Sequence, residues 1–217
     1  MARSQGDSAA RFITPKASLS QLKEIAKGCT ACRLYLHGTQ TVFGAGARHA
    51  QVLFVGEQPG NEEDIKGQPF VGPAGKLLDK ALVSAGIDRD ETYVTNIVKH
   101  FKWESRGKRR IHKKPNALEI AACKPWFEAE VARVRPEVVV CLGATAAQAI
   151  LGRDFKVTQR RGELITDSQY APMVVATVHP SSILRAPDDE ARHEEMRRFI
   201  GDLKIVARSI HKQRRAA

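Results

Sequence analysis

The sequence lacks any apolar run approaching the roughly 20 residues that cross a bilayer, so it predicts no membrane span. Its first residues lack the apolar core of a signal peptide, and their Ser, Gln, Ala and Arg content reads as a disordered leader. A protein held in the reducing cytoplasm is expected. Cysteines are few, four in all, and in that compartment they argue for a metal or cluster before disulfides. Internal repeats, heptads and obvious apolar patches are also missing, which makes a monomer the expectation. Acidic residues are in short supply: 24 Asp and Glu stand against 35 Lys and Arg, a formal net charge of +11. That excess favours a polyanionic partner, although basic surfaces also serve solubility.

What is present suits one domain. At 217 residues and 42% hydrophobic, the chain can bury one sizeable core but not two. Residues 1–18 read as a tail, 19–210 as a single domain and 211–217 as a basic tail. A helix is predicted over 19–37, with Leu19, Leu22, Ile25 and Ala26 on one face, interrupted by Cys29-Thr30-Ala31-Cys32. Four short β-branched runs suit buried strands: Val52–Val55, Tyr93–Val98, Val138–Leu142 and Val174–Val178. Helical patterns lie between and after them at Ala74–Ala85, Ala117–Val134, Ala144–Leu151 and Asp189–Ile210. The alternation predicts an α/β fold: a three-layer α/β/α sandwich around a parallel sheet.

Three polar, Gly- or Pro-bearing motifs directly follow predicted strands: Gly56-Glu57-Gln58-Pro59-Gly60, Asn96 with Lys99-His100, and His179-Pro180-Ser181-Ser182. Ligands of open parallel sheets bind beyond the carboxyl ends of the strands, so the three motifs should meet in one cleft. Glu57 and Gln58, held in a rigid turn, could stabilise a cation and read a hydrogen-bonding edge. Phe70, in a Gly/Pro-rich loop, could stack on a planar base or fill the core. Asn96 can donate and accept at once, which suits a pyrimidine edge. His179 could donate to an oxygen that gains negative charge. Residues 102–114 hold seven Lys or Arg in thirteen positions, a phosphate-binding composition; by spacing alone His112 within it is another phosphate contact. Cys29-x-x-Cys32 is half of a metal or cluster site, whose other half must come from Cys123, Cys141 or a histidine.

Taken as an ordered set, these motifs resemble a known family. Gly56–Gly60, the loop Pro69–Gly75, Thr95-Asn96-x-Val98-Lys99, Leu142–Ala146 and His179–Arg185 look like the iron–sulfur uracil-DNA glycosylases of family 4. Lys108-Arg109-Arg110-Ile111-His112 matches the extra loop of the UdgX branch, and the likeness covers about residues 20–208. The resemblance implies a central four-stranded parallel sheet and cleavage of the N-glycosidic bond of deoxyuridine in single- or double-stranded DNA, with the nucleotide flipped out of the stack. It implies that Gly56, Phe70, Asn96 and Ser181 bind the base, and that Gln58 and His179 contact it as it departs. Lys108, Arg109, Arg110 and Arg185 would hold DNA. Glu57 would stabilise the sugar cation, and His112 would capture the anomeric carbon in a covalent, single-turnover product.

The resemblance also implies a [4Fe-4S] cluster. Family 4 places a cysteine straight after Asn-x-x-Lys; here His100 stands there, giving Cys29, Cys32, His100 and Cys123 as ligands, with Cys141 as the rival fourth. Asn61 stands where many relatives carry an acidic residue. Two other readings remain at this stage: a conventional multiple-turnover glycosylase in which His112 touches only phosphate, and a non-catalytic, zinc-containing nucleic-acid-binding module.

Overall fold

A computed structural model describes residues 8–214, with side chains through Ile210. In chain order the strands are β1 Ala45–Gly46, β2 Val52–Gly56, β3 Thr92–Asn96, β4 Trp103–Arg106, β5 Arg109–His112, β6 Val138–Leu142, β7 Leu164–Ile165 and β8 Met173–Thr177. The helices are α1 Leu19–Ala26, α2 Asn61–Lys66, α3 Pro73–Ala85, α4 Ala117–Val134, α5 Ala144–Leu151, α6 Val157–Arg160, α7 Pro180–Leu184 and α8 Asp189–Arg214.

The main sheet runs β1-β3-β2-β6-β8-β7. Its four central strands are mutually parallel, as expected, and a two-residue antiparallel strand extends each edge. Both faces are covered, so side chains that alternate along one strand feed two separate halves of the core. Leu53, Val55, Val139 and Val174 join the half under α1 and α4. Val52, Phe54, Val140 and Val175 join the half under α3 and α8. This explains why the strands read as continuous apolar runs.

Helix limits follow local chemistry. Pro73 opens α3, where its missing N–H is no loss, and Gly86 at φ 76° closes it. Asn116 and Glu119 form a reciprocal capping box at the start of α4. The helix expected over 19–37 ends at Ala26, and the cysteine pair lies in the loop that follows. The strand expected to reach Val98 ends at Asn96.

Both expected tails need correction. Ser8 caps a 3-10 turn at Ala9–Phe12, Ala9 is fully buried, and Arg133 on α4 donates from Nε to the Ala17 carbonyl at 2.7 Å. This segment therefore forms part of the core, while residues 1–7 lie outside the described region. At the other end α8 continues to Arg214, past the start of the basic tail expected from 211, and residues 215–217 lie outside the described region.

Candidate active site

The loops after β2, β3, β6 and β8 border one cleft of about 770 Å³, which Glu57, Phe70, Asn96, His112, His179 and Arg185 all line. Its floor is Gly56. A Cβ there would lie 2.4 Å from Asn96 Oδ1, 2.9 Å from Phe70 Cζ and 3.5 Å from His179 Nε2. Three chemically different atoms thus surround a space that one added methyl would fill. Phe70 holds its place at φ 56°, a left-handed conformation uncommon for a bulky residue and typical of functional sites. Gly75 of α3 allows that close approach, since a Cβ on it would fall 1.7 Å from the Phe70 carbonyl oxygen.

His179 caps α7. Its Nδ1 accepts from the Ser181 N–H at 3.1 Å and lies 2.8 Å from Ser181 Oγ. A nitrogen that accepts a backbone N–H carries no proton, so the proton sits on Nε2, the atom that faces Gly56. Burial, with Arg185 and His112 nearby, lowers its pKa to about 4, which keeps the ring neutral and a single donor at pH 7. Ser181, expected to touch the base, lines the cleft and turns both its N–H and its hydroxyl to His179.

The basic stretch is a two-stranded hairpin of β4 and β5, with Gly107 at φ 61° in its turn. His112 ends β5, its Nε2 3.5 Å from Glu57 Oε1 and its ring half exposed. Burial disfavours its charged form and Arg185 adds to that, while Glu57 opposes; the balance lowers its pKa. The hairpin is fixed at two points. Gln58 Nε2 donates to the carbonyls of Lys102 (3.1 Å) and Lys113 (3.0 Å), and Gln58 Oε1 accepts from the Lys102 N–H (3.2 Å). Arg110 turns inward to the fully buried Asp64 at 2.6 Å and to Asn61 Oδ1 at 2.7 Å, and its guanidinium lies over the Phe101 and Trp103 rings. Two expectations change accordingly. Gln58 holds the hairpin roots rather than presenting a free amide to the base, and Arg110 is a hairpin anchor rather than a phosphate contact. Lys108 and Arg109 are exposed at the turn, open to a polyanion.

Behind the cleft lies a fully buried ion pair. Lys99 Nζ donates to Glu130 Oε2 (2.6 Å), Thr95 Oγ1 (2.6 Å) and the Asn96 carbonyl (2.7 Å). Glu130 also accepts from Thr95 Oγ1, Tyr93 Oη and the Gly44 N–H. All three Lys99 ammonium hydrogens and both Glu130 oxygens are satisfied, which a buried ion pair requires. The Asn96 backbone is held by this pair, and its side-chain amide faces the cleft.

The Lys99 N–H donates to Cys123 Sγ at 3.2 Å, and Trp126 Nε1 donates to Cys29 Sγ at 3.2 Å. The Cys123 thiol is pushed up to about 12, by burial above all; the Lys99 charge and N–H oppose this, and the nearby Cys32 and Cys29 add a smaller upward push. Burial alone raises Cys141, which sits in β6 within the core. Thr41 donates its one hydroxyl hydrogen to the Ala26 carbonyl, so it accepts from His100 Nε2 at 2.9 Å. That leaves a lone pair on His100 Nδ1, buried and without a protein partner among the described residues. No group of three or more His, Cys, Asp or Glu among the described residues is placed to hold a single metal ion.

Sequence reasoning had Thr145 inside the Leu142–Ala146 motif but gave no role to it, and it donates to Glu57 Oε2; it missed Glu63, whose carboxylate accepts from the Gly60 and Gly72 N–H groups. Neither contact has a signal in local spacing, since Thr145 reaches the loop after β2 and Glu63 reaches Gly72.

Comparisons agree with this geometry. The model of the Uracil DNA glycosylase superfamily matches residues 43–204. The chain is 40% identical to the Type-4 uracil-DNA glycosylase of Thermotoga maritima, over 83% of this chain and 91% of that one. It is 34% identical to the Type-4 uracil-DNA glycosylase of Archaeoglobus fulgidus, over 86% and 93%. It is also 31% identical to a DNA polymerase of Bacillus phage SP01, over 76% of this chain but 16% of that much longer protein.

Proposed function

The chain belongs to the uracil DNA glycosylase superfamily, and from that premise we propose that it excises uracil from DNA and ends covalently bonded, through His112, to the abasic sugar. The observation that carries this reading is the placement of His112: a ring kept neutral, 3.5 Å from the Glu57 carboxylate, on a hairpin anchored beside the base cleft. Phe70 stacks on the flipped base, and Asn96 reads its edge. As the bond from C1′ to the base breaks, its electron pair leaves on uracil, and the His179 Nε2–H stabilises the anion. Glu57 stabilises the positive charge on the sugar. The His112 lone pair then closes on C1′, and the imidazole proton it displaces is balanced by the proton uracil takes up. Water is not consumed. Lys108, Arg109 and Arg185 grip phosphates on the way in.

Cys29, Cys32, Cys123 and His100 fit a [4Fe-4S] cluster. Three thiols sit within electrostatic reach of one another, N–H donors point at two of the sulfurs, and His100 Nδ1 offers an unused lone pair. A cubane spreads its ligands further apart than a single ion does, and among the described residues no group is placed for a single ion. When bound, the cluster supplies a cross-link between the 29–32 loop, the segment after β3, and α4. Cys141 is left as a core residue.

The test is to mix the protein with a uracil-containing oligonucleotide, boil in detergent and run a denaturing gel. A shifted band that requires uracil supports capture. Free uracil with an unshifted protein would make this a conventional glycosylase.

A further inference from the structure

Glu57 has two carboxylate oxygens and two jobs in the site, and the structure divides them. Oε1 faces His112 Nε2 at 3.5 Å. Oε2 accepts a hydrogen bond from Thr145 Oγ1, the one hydrogen-bond donor to this carboxylate among the described residues. Thr145 lies in the first turn of α5, at the wall of the cleft, and is 7% exposed. We infer that Thr145 is the positioning residue for Glu57: its hydroxyl holds one oxygen so that the other stays aimed at the sugar cation and at His112.

The physical case is one of orientation. A glutamate side chain rotates about three bonds, and Glu57 is partly exposed, with open cleft before it. Without a fixed donor behind it, the carboxylate would sample solvent, and its charge would not be preorganised where positive charge develops. Gln58, the next residue, meanwhile pins the hairpin that carries His112. The two partners of the 3.5 Å contact are therefore held by separate groups, Glu57 by Thr145 and the hairpin that carries His112 by Gln58. A helix-capping role does not explain the arrangement, since the hydroxyl reaches across to the loop after β2 and not to the backbone of α5.

The inference rests on the excision reading above, and its test separates the two. Thr145→Val keeps the buried volume and removes the hydroxyl; Thr145→Ser keeps the hydroxyl. Single-turnover uracil release is measured for each with a uracil oligonucleotide, and binding is measured with an uncleavable 2′-fluoro-deoxyuridine oligonucleotide. The expected result is roughly a tenfold slower release in Thr145→Val, as for loss of one charge-assisted hydrogen bond at a developing charge. Binding should be unchanged and the rate should recover in Thr145→Ser. An unchanged rate in Thr145→Val overturns the inference, as does a rate loss matched by an equal loss of binding or left unrescued by serine. The covalent band, scored in the same reactions with the unsubstituted protein, decides the capture reading independently.

Discussion

Fewer than twenty residues after β3 contain two opposite ways of holding a charged group. At the near end, Lys99 is completely buried, with Glu130, Thr95 and the Asn96 carbonyl taking all its hydrogens. At the far end, the hairpin of β4 and β5 is largely exposed and carries His112. The first region tolerates no slack, because an unpaired buried charge is costly. The second is attached through a few side chains, Gln58 and Arg110 chief among them. Asn96 of the cleft is thus tied to the interior, and His112, the proposed nucleophile, is held on an appendage.

The contrast can be broken most sharply at the exposed end. His112→Ala is expected to abolish the covalent band completely while leaving stability within about 0.5 kcal/mol, the usual range for exposed positions. A persistent band would place the nucleophile elsewhere. Breaking the interior instead, Lys99→Met leaves Glu130 charged and unpaired, with an expected cost of about 3–5 kcal/mol in urea unfolding. Adding Glu130→Leu should return part of that loss; a single substitution costing less than 1 kcal/mol would mean the pair is not the interior anchor described here. Gln58→Leu tests the joint between the regions. Capture should fall roughly tenfold relative to uracil release, as expected when the nucleophile moves off its aligned position. A parallel fall in both would assign Gln58 to the base instead.

The smallest effect expected is in pH. His112 has a pKa below its ordinary 6.5, so its neutral, nucleophilic form prevails at pH 7. The single-turnover capture rate should stay level as pH falls towards 6.5 and decline only below it. A decline that begins above 6.5 would show the Glu57 charge outweighing burial. His179, at about 4, should add no inflection near neutrality.

The sheet was legible because strands buried on both faces are written as unbroken apolar runs, and Gly and Pro mark their ends. The cleft was legible because Glu57, Asn96 and His179 each follow a strand. Other features were hidden because charge was taken to mean solvent. Glu130 and Asp64 lie in helices and look like surface acids, yet both are fully buried, taken inward by Lys99 and Arg110. The hairpin has the composition of a solvated loop and is set by side chains distant in sequence. Ala9 seats a segment whose composition reads as tail. Long-range hydrogen bonds of this kind have no local period, so no window of sequence displays them.

The roots of the hairpin have one more consequence. Lys113 N–H donates to the Lys102 carbonyl at 2.9 Å, and one glutamine amide holds the carbonyls at both positions. The chain therefore enters and leaves the hairpin at the same place, with Arg110 as its second attachment. Residues 103–112 therefore branch from one point of the chain, and their two-stranded sheet is separate from the main one. Conversely, a graft of these ten residues would need more than a glutamine after the first central strand: Arg110 also requires the Asp64 carboxylate and Asn61 to receive it.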